Sequence, residues 1–577
     1  MQVTQSFSGR RWDFAPCDEA AARTLADNGL SAVLARLLIA RGVRPEEAAD
    51  YLNPTLKQLL PEPLTLKDMD KAVARSAAAV QRGETIALFG DYDVDGSCSA
   101  ALLYGLLRAA GVTPLLYVPD RLSEGYGPNA PALLKLKDQG ATLVITVDCG
   151  AGAHGALTAA RDAGLDVIVL DHHATENPPP AFAQVNPNAP GDSSGLGHLC
   201  AAGVAFLFAV ALNRALRQTG FYNGRGEPDL MAALDLVGLA TVCDVVPLVG
   251  VNRAFVRSGL ARLNALERPG LAALARIAGV TPPFTPYTLG FVFGPRINAG
   301  GRVGRCGLGA DLLIARGPQA EDFALALDNH NRERQAIEKL ILDEAMALAA
   351  TDEAPFLLLS ADGWHPGVVG IVAGRLKDRF NKPAFVAGFE GGLGRGSARS
   401  VAGVDIGAMV RAAHEAGVLE AGGGHAMAAG FSLRPDQVEP FRAFLSAAFA
   451  KATPAEAAAL AVEAVIAPSG ATPELAREIG RAGPFGAGNP EPVLAVPEVQ
   501  LQFADVVGQG HVRLRLAGAD GGRLDAIAFR TADTPLGRAL LAARGGRIHV
   551  AWRLRTEEWN GRKRVQLHLE DAAPASV

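Results

Sequence analysis

From about residue 85, short and continuously apolar segments alternate with segments of helical pattern. The apolar segments are TIALF, TPLLYVP, ATLVITV and LDVIVL. Apolar strands separated by helices predict a parallel sheet that is covered by helices on both faces. Open sheets of this kind build their sites where the strands end. The sequence therefore predicts an α/β fold and points to one sheet edge for any chemistry.

Later segments predict further domains. A long amphipathic stretch near residues 321–350 precedes a new α/β pattern that begins at APFLLLSAD, and short alternating segments after residue 460 suggest a small β-barrel. The predicted divisions are an N-terminal helical segment packing on the core (1–60), a parallel-sheet domain (61–317), a long connecting helix (318–352), a second and smaller α/β domain (353–452) and a C-terminal barrel (460–572).

Three aspartates follow the first apolar segment in DYDVDG, namely Asp91, Asp93 and Asp95. Neighbouring carboxylates repel one another and raise each other's pKa unless a cation lies between them. A solvated acidic turn or a helix cap is the alternative interpretation.

Further acids and two histidines follow other apolar segments. Asp148 ends VITVD, and VIVLDHH places His172 and His173 directly after Asp171. Asp244 ends an apolar helical stretch, where the helix dipole disfavours a negative charge unless something positive compensates. Carboxylate and imidazole together suit Mn²⁺, Fe²⁺ or Zn²⁺, so these residues predict a metal site.

The bulk composition excludes several classes of protein. Six scattered cysteines without a CxxC pair argue against a thiolate zinc site and against a disulfide framework. No apolar run reaches the length of a membrane span, and the N-terminus lacks an apolar signal core, so we expect a soluble cytoplasmic protein. A net charge of −5 permits nucleic-acid binding only where basic residues are concentrated locally.

The motifs DYDVDG, VDCG, LDHH and TVCDVVPL, in this order, resemble the four motifs of the DHH phosphoesterase superfamily. GPRINAGGRVG, GGGHAMAAGFS and PFGAGNPEP resemble the RecJ single-strand-specific 5′→3′ exonucleases within it. The resemblance covers residues from about 60 to about 570. It implies a DHH domain at 61–317, a DHHA1 domain at 353–452 and a nucleic-acid-binding barrel of the OB-fold type at 460–572.

The resemblance also implies two divalent cations, Mn²⁺ or Mg²⁺. Asp93 would bind one and Asp95 the other, Asp148 would bridge them, and His172 and Asp244 would complete the ligand set of the second cation. His173 would face the scissile phosphate. Many superfamily members carry a histidine at the position of Phe89, and Asp91 is its nearest substitute here.

Glycine-rich segments with cationic and amide side chains are expected to hold the substrate. These predicted substrate-binding residues are Arg121, Arg296, Asn298, Arg302, Arg395, Ser397, Arg399, Gly423, Gly424 and His425. Basic residues interleaved with aromatic ones in the barrel also suit a single strand, and a solvated barrel surface with packed tryptophans is the alternative interpretation. The basic residues are Arg513, Arg547, Arg553, Arg555, Arg562, Lys563 and Arg564, with Trp552 and Trp559.

By this resemblance the chain is expected to be a metal-dependent 5′→3′ exonuclease that releases mononucleotides from single-stranded DNA, in recombinational and mismatch repair. The expected partners are single-stranded DNA, a single-strand-binding protein and a helicase, and we expect a monomer. Two alternatives stay open at this point. One is a phosphodiesterase for small molecules or short oligonucleotides, and the other is an inactive DNA-binding scaffold.

Overall fold

The computed structural model describes residues 2–121, 123–450, 459–559 and 562–575, without the side chains of residues 556–559 and 562–564. Its contacts divide the chain into two compact units. The terminal unit comprises Met1–Leu60, Pro247–Arg257 and Glu456–Val577, and the central unit comprises Pro61–Val246 and Ser258–Ala455.

The N-terminal segment belongs to the terminal unit. Its elements are β1 (Trp12–Phe14), α1 (Glu19–Asp27), α2 (Ala32–Ala40), α3 (Ala48–Leu52) and α4 (Leu56–Leu59). β1 pairs in parallel with Leu460–Val462, and the Trp12 indole donates a hydrogen bond to the buried Asp571 carboxylate (3.1 Å). The contacts group this segment with the C-terminal region, which an amphipathic pattern does not reveal because it shows that a face is buried but not what covers it. Packing of the segment on the core stays a prediction.

The predicted parallel sheet follows, and its presence confirms the α/β fold class. The elements are α5 (Met69–Arg82), β2 (Ile86–Gly90), α6 (Val94–Ala109), β3 (Leu115–Tyr117), α7 (Ala130–Asp138), β4 (Leu143–Val147), α8 (His154–Asp162), β5 (Asp166–Leu170) and β6 (Ala183–Val185). The strand order is β3-β2-β4-β5-β6. Gly90 pairs with Val147, and Val147 pairs with Leu170. The residues that follow these three strands therefore start from one edge.

A helical region comes next. Its elements are α9 (Ala201–Gln218), α10 (Leu234–Cys243), α11 (Gly250–Asn264), α12 (Pro269–Ala278), a π-helical segment (Thr288–Phe293), α13 (Gly294–Val303), α14 (Leu308–Ile314) and α15 (Gln319–Ala349). α10 is buried along most of its length and packs against α6 and α9. α15 is the predicted connecting helix, and its 31 residues span about 45 Å.

The second α/β domain contains β7 (Leu357–Asp362), α16 (Pro366–Phe380), β8 (Ala384–Glu390), β9 (Leu393–Arg399), α17 (Ile406–Glu415), β10 (Ala421–His425), β11 (Ala428–Leu433) and α18 (Val438–Phe449). The strand order is β10-β11-β9-β8-β7, with β7 and β8 parallel and the other pairs antiparallel. Phe385, Ala398 and Phe431 form part of the core on one face of this sheet.

The C-terminal region forms the predicted barrel. Its elements are β12 (Leu460–Val462), β13 (Ala464–Val465), α19 (Pro473–Gly480), β14 (Leu494–Val507), β15 (His511–Ala517), β16 (Arg523–Ala528), α20 (Pro535–Ala542), β17 (Arg547–Trp559) and β18 (Arg562–Pro574). The order β14-β15-β16-β18-β17 closes because β17 pairs with β14. Among the described residues, none of the helices combines the length and the apolar character that a bilayer crossing requires.

Candidate metal centre

The loop after β2 folds back tightly on the first turn of α6. The Asp93 carboxylate caps this helix by accepting a hydrogen bond from the Gly96 N–H (3.0 Å). A Cβ atom on Gly96 would lie only 2.6 Å from the Asp91 carbonyl oxygen. Asn298, from α13, accepts a hydrogen bond from the Val94 N–H (3.1 Å). The motif DYDVDG therefore forms a fixed turn that holds its acids at the sheet edge.

Asp171, which follows β5, orients both neighbouring histidines. Its carboxylate accepts hydrogen bonds from the N–H groups of His172 (2.7 Å), His173 (3.1 Å) and Ala151 (2.9 Å). It also lies 2.8 Å from His173 Nδ1. Asp171 is thus occupied with positioning its neighbours, which agrees with its absence from the predicted metal ligands.

Two helix ends complete the site. The two Asp95 carboxylate oxygens accept hydrogen bonds from Ala201 N (2.6 Å) and Ala202 N (2.8 Å) at the start of α9. Each oxygen keeps a second lone pair for another partner. Asp244 is the C-cap of α10, which confirms the predicted position at a helix end.

These elements bring the predicted ligands together around His172. Its Nε2 lies 3.3 Å from Asp148 Oδ1, 3.6 Å from Asp244 Oδ2 and 3.9 Å from Asp95 Oδ2. Within the described residues, the groups whose ligand atoms all lie within 4.8 Å of one another are Asp91–Asp93–Asp148, Asp95–His172–Asp244 and Asp148–His172–His173.

The burial, hydrogen bonding and pKa of these ligand groups test whether a metal ion fits the site. In the described part of the chain, Asp91 Oδ1, Asp148 Oδ1, His172 Nε2 and Asp244 Oδ2 are buried without a hydrogen-bond partner. Burial and the charges of neighbouring acids raise the pKa of Asp91 and Asp148 well above the ordinary range, and they raise the pKa of Asp244 to about 8. Buried oxygen and imidazole donors that lack partners fit hard divalent cations such as Mn²⁺ and Mg²⁺. The first group includes Asp91, as expected for a substitute for the histidine absent at Phe89.

His173 lies at the rim of the site. Burial lowers its pKa, but the hydrogen bond with Asp171 and the negative charges of Asp171, Asp244 and Asp95 together outweigh burial and raise the pKa to about 9. The Tyr126 hydroxyl donates to the Asp148 carbonyl oxygen (2.9 Å) and lies 3.2 Å from His173 Nδ1. A protonated imidazole beside the carboxylates suits an anionic substrate group.

A second group of cationic side chains lies close to the DYDVDG turn (residues 91–96), which we call the metal loop. The Arg121 guanidinium lies 5.3 Å from the centre of the Tyr92 ring, and the Arg302 guanidinium donates to the Gly367 carbonyl oxygen at the start of α16 (3.0 Å). Burial and then the positive charges of Arg121, Arg334 and Arg399 lower the pKa of Arg302 to about 10. Neighbouring arginine side chains that are partly withdrawn from water repel one another, and this repulsion favours an anion between them.

β9 presents a polar row to the α16 side of its sheet. Arg395, Ser397 and Arg399 alternate along the strand and therefore share a face, whereas Ala398 is in the core on the other face. Ser397 pairs with Gly430, which pairs with Gly423. Gly424 and the exposed His425 continue along β10. Three of the predicted substrate residues and the glycine motif thus meet on one sheet.

Two other predicted substrate residues have structural contacts. Arg296 forms an ion pair with Asp328 (2.9 Å) and donates to the Val292 carbonyl oxygen, and Asn298 binds the metal loop as described. Direct contact of either residue with DNA stays a prediction.

In the barrel, Trp552 follows the alternative interpretation of a packed tryptophan. Its side chain is fully buried, so it is part of the core. Arg553 and Arg555 pair with Glu570 (3.2 Å) and Glu491 (2.7 Å), while Arg513 and Arg547 are exposed. The side chains of Trp559, Arg562, Lys563 and Arg564 lie outside the described residues.

Some positioning residues escaped sequence reasoning. Asn186 and Asn188 donate to the carbonyl oxygens of His173 (2.8 Å) and His172 (2.7 Å). They follow β6, whose short segment AQV lies behind three prolines and gave no strand signal. The spacing of two asparagines at a strand end was the available clue.

Metal binding should change the pH dependence of stability. The raised pKa of Asp244 means that the metal-free folded state binds more protons than the unfolded state between about pH 4 and pH 8. Its stability should therefore fall as pH rises through this window, by up to about 1.4 kcal/mol per pH unit for one such group. Saturating Mn²⁺ should reverse the trend and raise the melting temperature by on the order of 3 °C at pH 8.

Calorimetric scans at several pH values, with chelator or Mn²⁺, check this expectation. Asp162→Asn, at an exposed position, is the control and should keep the Mn²⁺ effect. An identical pH profile with and without Mn²⁺ would contradict the assignment.

Three known protein families match the parallel-sheet domain, the second α/β domain and the C-terminal barrel of this chain. Residues 85–241 match the DHH family, N-terminal domain, residues 353–451 match the DHHA1 domain, and residues 462–571 match the RecJ OB domain. The chain is 33% identical to the single-stranded-DNA-specific exonuclease RecJ of Bacillus subtilis, over 98% of this chain and 71% of that protein. It is 35% identical to the Escherichia coli protein of the same name, over 94% of this chain and 96% of that protein.

A solved structure gives the same result. The crystal structure of RecJ in complex with Mn²⁺ from Thermus thermophilus superposes with a TM-score of 0.82 at 30% identity, over 98% of this chain and 80% of that chain. A second crystal structure from the same organism contains RecJ in complex with Mg²⁺, with a TM-score of 0.77.

Proposed function

This chain belongs to the RecJ family of single-stranded-DNA-specific exonucleases, and from that premise we propose that it removes mononucleotides from the 5′ end of single-stranded DNA by metal-dependent hydrolysis. The observation that carries this proposal is the convergence of Asp91, Asp148, His172 and Asp244 with buried, partnerless ligand atoms within the described residues. An inactive scaffold would have no need to maintain such a cluster.

The ligand groups suggest how the cations are held. Asp91, Asp93 and Asp148 would hold one divalent cation, and Asp95, His172 and Asp244 would hold the other, with Asp148 near both. When bound, two such cations supply an activated water and neutralise the charge that develops in an in-line displacement at phosphorus.

The surrounding residues keep this arrangement fixed. Asp171 orients His173, Asn186 and Asn188 hold the backbone of the histidine pair, and the start of α9 holds Asp95. We propose that His173, whose pKa is raised, binds a phosphate oxygen beside the ligands. Side chains that are fixed before the substrate arrives need no reorganisation during the reaction.

We assign the 5′ phosphate to Arg121, Arg302, Ser397 and Arg399. The support is that burial and neighbouring positive charges lower the pKa of Arg302 and of Arg399, with Arg121 among those charges in both cases, and that Ser397 and Arg399 pack closely against α16. A terminal phosphate would pair with several of these cations, and charge-assisted hydrogen bonds to it are strong.

Arg399→Ala should therefore lower kcat/KM for 5′-phosphorylated single-stranded DNA by roughly 10- to 150-fold, the worth of one charged hydrogen bond. The same variant should change cleavage of the 5′-hydroxyl strand much less. Arg379→Ala, exposed in the same domain, is the control. Equal losses on the two strands would argue against a 5′-phosphate site at Arg399.

Direction and substrate are tested together by a time course on end-labelled DNA. With Mn²⁺, a 5′ label on a single strand should appear early as mononucleotide, while a 3′ label should remain on shortening strands. Early release of the 3′ label would contradict the polarity. Cleavage of dinucleotides but not of long strands would favour a phosphodiesterase for short oligonucleotides.

The cellular setting follows from the specificity for single strands. Duplex DNA must be opened before such an enzyme can act, so we propose that a helicase and a single-strand-binding protein supply its substrate in recombinational and mismatch repair. We further propose that the chain acts as a monomer in the cytoplasm. Degradation of a duplex should then require both a helicase and ATP, and sedimentation should give a single-chain mass.

A further inference from the structure

An exposed pair of aromatic rings lies beside the metal centre. Tyr287 and Phe291 are 60% and 69% exposed, and their rings stack with centroids 5.0 Å apart and planes 20° from parallel. We propose that this pair, the ring platform, stacks on the bases of the single strand a few nucleotides from the cut. The inference deepens the proposed function and rests on it for the identity of the strand.

Packing holds the platform rigidly. Tyr287 is the N-cap of the π-helical segment Thr288–Phe293 and Phe291 lies within it, while Leu289 and Phe293 of the same segment are buried. The π-helix is a rare form that is frequent at functional sites. Exposing two large rings to water is costly unless a ligand covers them, whereas the buried side of the same turn already accounts for its folding.

The platform is continuous with the metal centre. The Cys243 thiol donates to the Leu289 carbonyl oxygen (3.4 Å), and a Cβ on Gly290 would lie 3.5 Å from Val242. Both partners immediately precede Asp244. Val245, directly after Asp244, is 69% exposed and has a φ of +60°, an unusual conformation for a β-branched residue. The π-helical turn therefore packs against the very segment that carries a metal ligand.

The helix that follows the ring platform, α13, connects it with the metal loop. α13 begins directly after the π-helical segment, and its Gly301 lies against Tyr92 of the metal loop. Its ten residues cover about 15 Å. Stacked nucleotides rise about 3.4 Å each, so a strand that passes the metal loop reaches the platform within about the first six nucleotides.

Ring geometry favours bases over another occupant. Two nearly parallel rings leave outer faces that extend a stack at either end, which suits the flat faces of bases whatever their sequence. An aliphatic protein surface could pack on these rings in any orientation, so it would not require them to be parallel.

The test uses the double variant Tyr287→Ser/Phe291→Ser in the full chain. Phe182→Ser is the matched control, because Phe182 is 47% exposed and its N–H pairs with Val167 near the start of β5, at the opposite sheet edge. We expect the double variant to raise KM and the dissociation constant for a 20-nucleotide strand by roughly 10- to 100-fold, with dinucleotide hydrolysis and the control unchanged.

A position scan makes the test specific. Single abasic sites are placed at each of the first eight nucleotides, and anisotropy measures binding in chelator, which separates this result from hydrolysis and hence from the proposed function. Wild-type protein should lose affinity at positions within the first six nucleotides, the double variant should show no further loss there, and Tyr287→Trp/Phe291→Trp should retain wild-type binding. Unchanged binding by the serine variant, equal losses on dinucleotide and long strand, or abasic penalties that persist in the double variant would each overturn the platform.

Discussion

Replacing Asp148 by alanine is expected to lower Mn²⁺-dependent hydrolysis of single-stranded DNA by at least about 1000-fold. Asp148 belongs to the group Asp91–Asp93–Asp148, and its Oδ1 lies 3.3 Å from Nε2 of His172, a member of the group Asp95–His172–Asp244. Its loss should weaken both cation sites at once, and the charge stabilisation that metals supply is worth several kcal/mol, each 1.36 kcal/mol being about tenfold in rate.

Single-turnover hydrolysis and strand binding should be measured on the same preparation. Removing a buried acid that is surrounded by other acids also relieves repulsion, so the metal-free variant should be no less stable than the parent. Asp162→Ala, at an exposed acid, is the control and should behave as the parent protein. Hydrolysis within about tenfold of the parent in Asp148→Ala would remove the basis for the assignment.

Gly96→Ala should have the second largest effect. A Cβ there would lie 2.6–2.8 Å from the Asp91 backbone oxygen, nitrogen and carbonyl carbon, and backbone atoms cannot move aside cheaply. The loop that carries Asp91 and Asp93 must shift, which we expect to cost about 1–3 kcal/mol of stability and to displace two predicted ligands. Activity should fall at least about 100-fold, since ligand displacements of this size disrupt preorganised sites.

The same helix contains a matched control. A Cβ on Gly105, also in α6, meets nothing within 4 Å. Gly105→Ala should stabilise the protein by about 0.5–1 kcal/mol and leave activity intact. Thermal melts and Mn²⁺ titrations of the two variants compare these outcomes. A Gly96→Ala variant that binds Mn²⁺ as tightly as the parent protein would contradict the predicted displacement of Asp91 and Asp93.

The sequence was informative where one physical rule dominates. Continuous apolar strands required a buried parallel sheet, and parallel strands end at one edge, so Asp91, Asp148 and Asp171 could be placed together without coordinates. The position of Asp244 at a helix end followed from its apolar helix. Grouping Asp244 with the strand-end residues depended on the family resemblance, because periodicity gives no distance between elements.

What escaped prediction depends on packing between distant segments. The hydrogen bonds from the start of α9 to Asp95 join residues more than 100 positions apart, and no local pattern records them. The grouping of residues 1–60 with the C-terminal barrel follows from the pairing of β1 with β12. The sequence left open whether Trp552 is packed or exposed, because strand alternation gives two faces but does not say which one is inside a closed barrel.

The most direct test of the central claim is an anomalous difference map from crystals grown with Mn²⁺. Two peaks about 3.5–4 Å apart are expected, one touching Asp91 or Asp93, the other touching His172 and Asp244, and both touching Asp148. A single ion, or ions bound away from these side chains, would contradict the account.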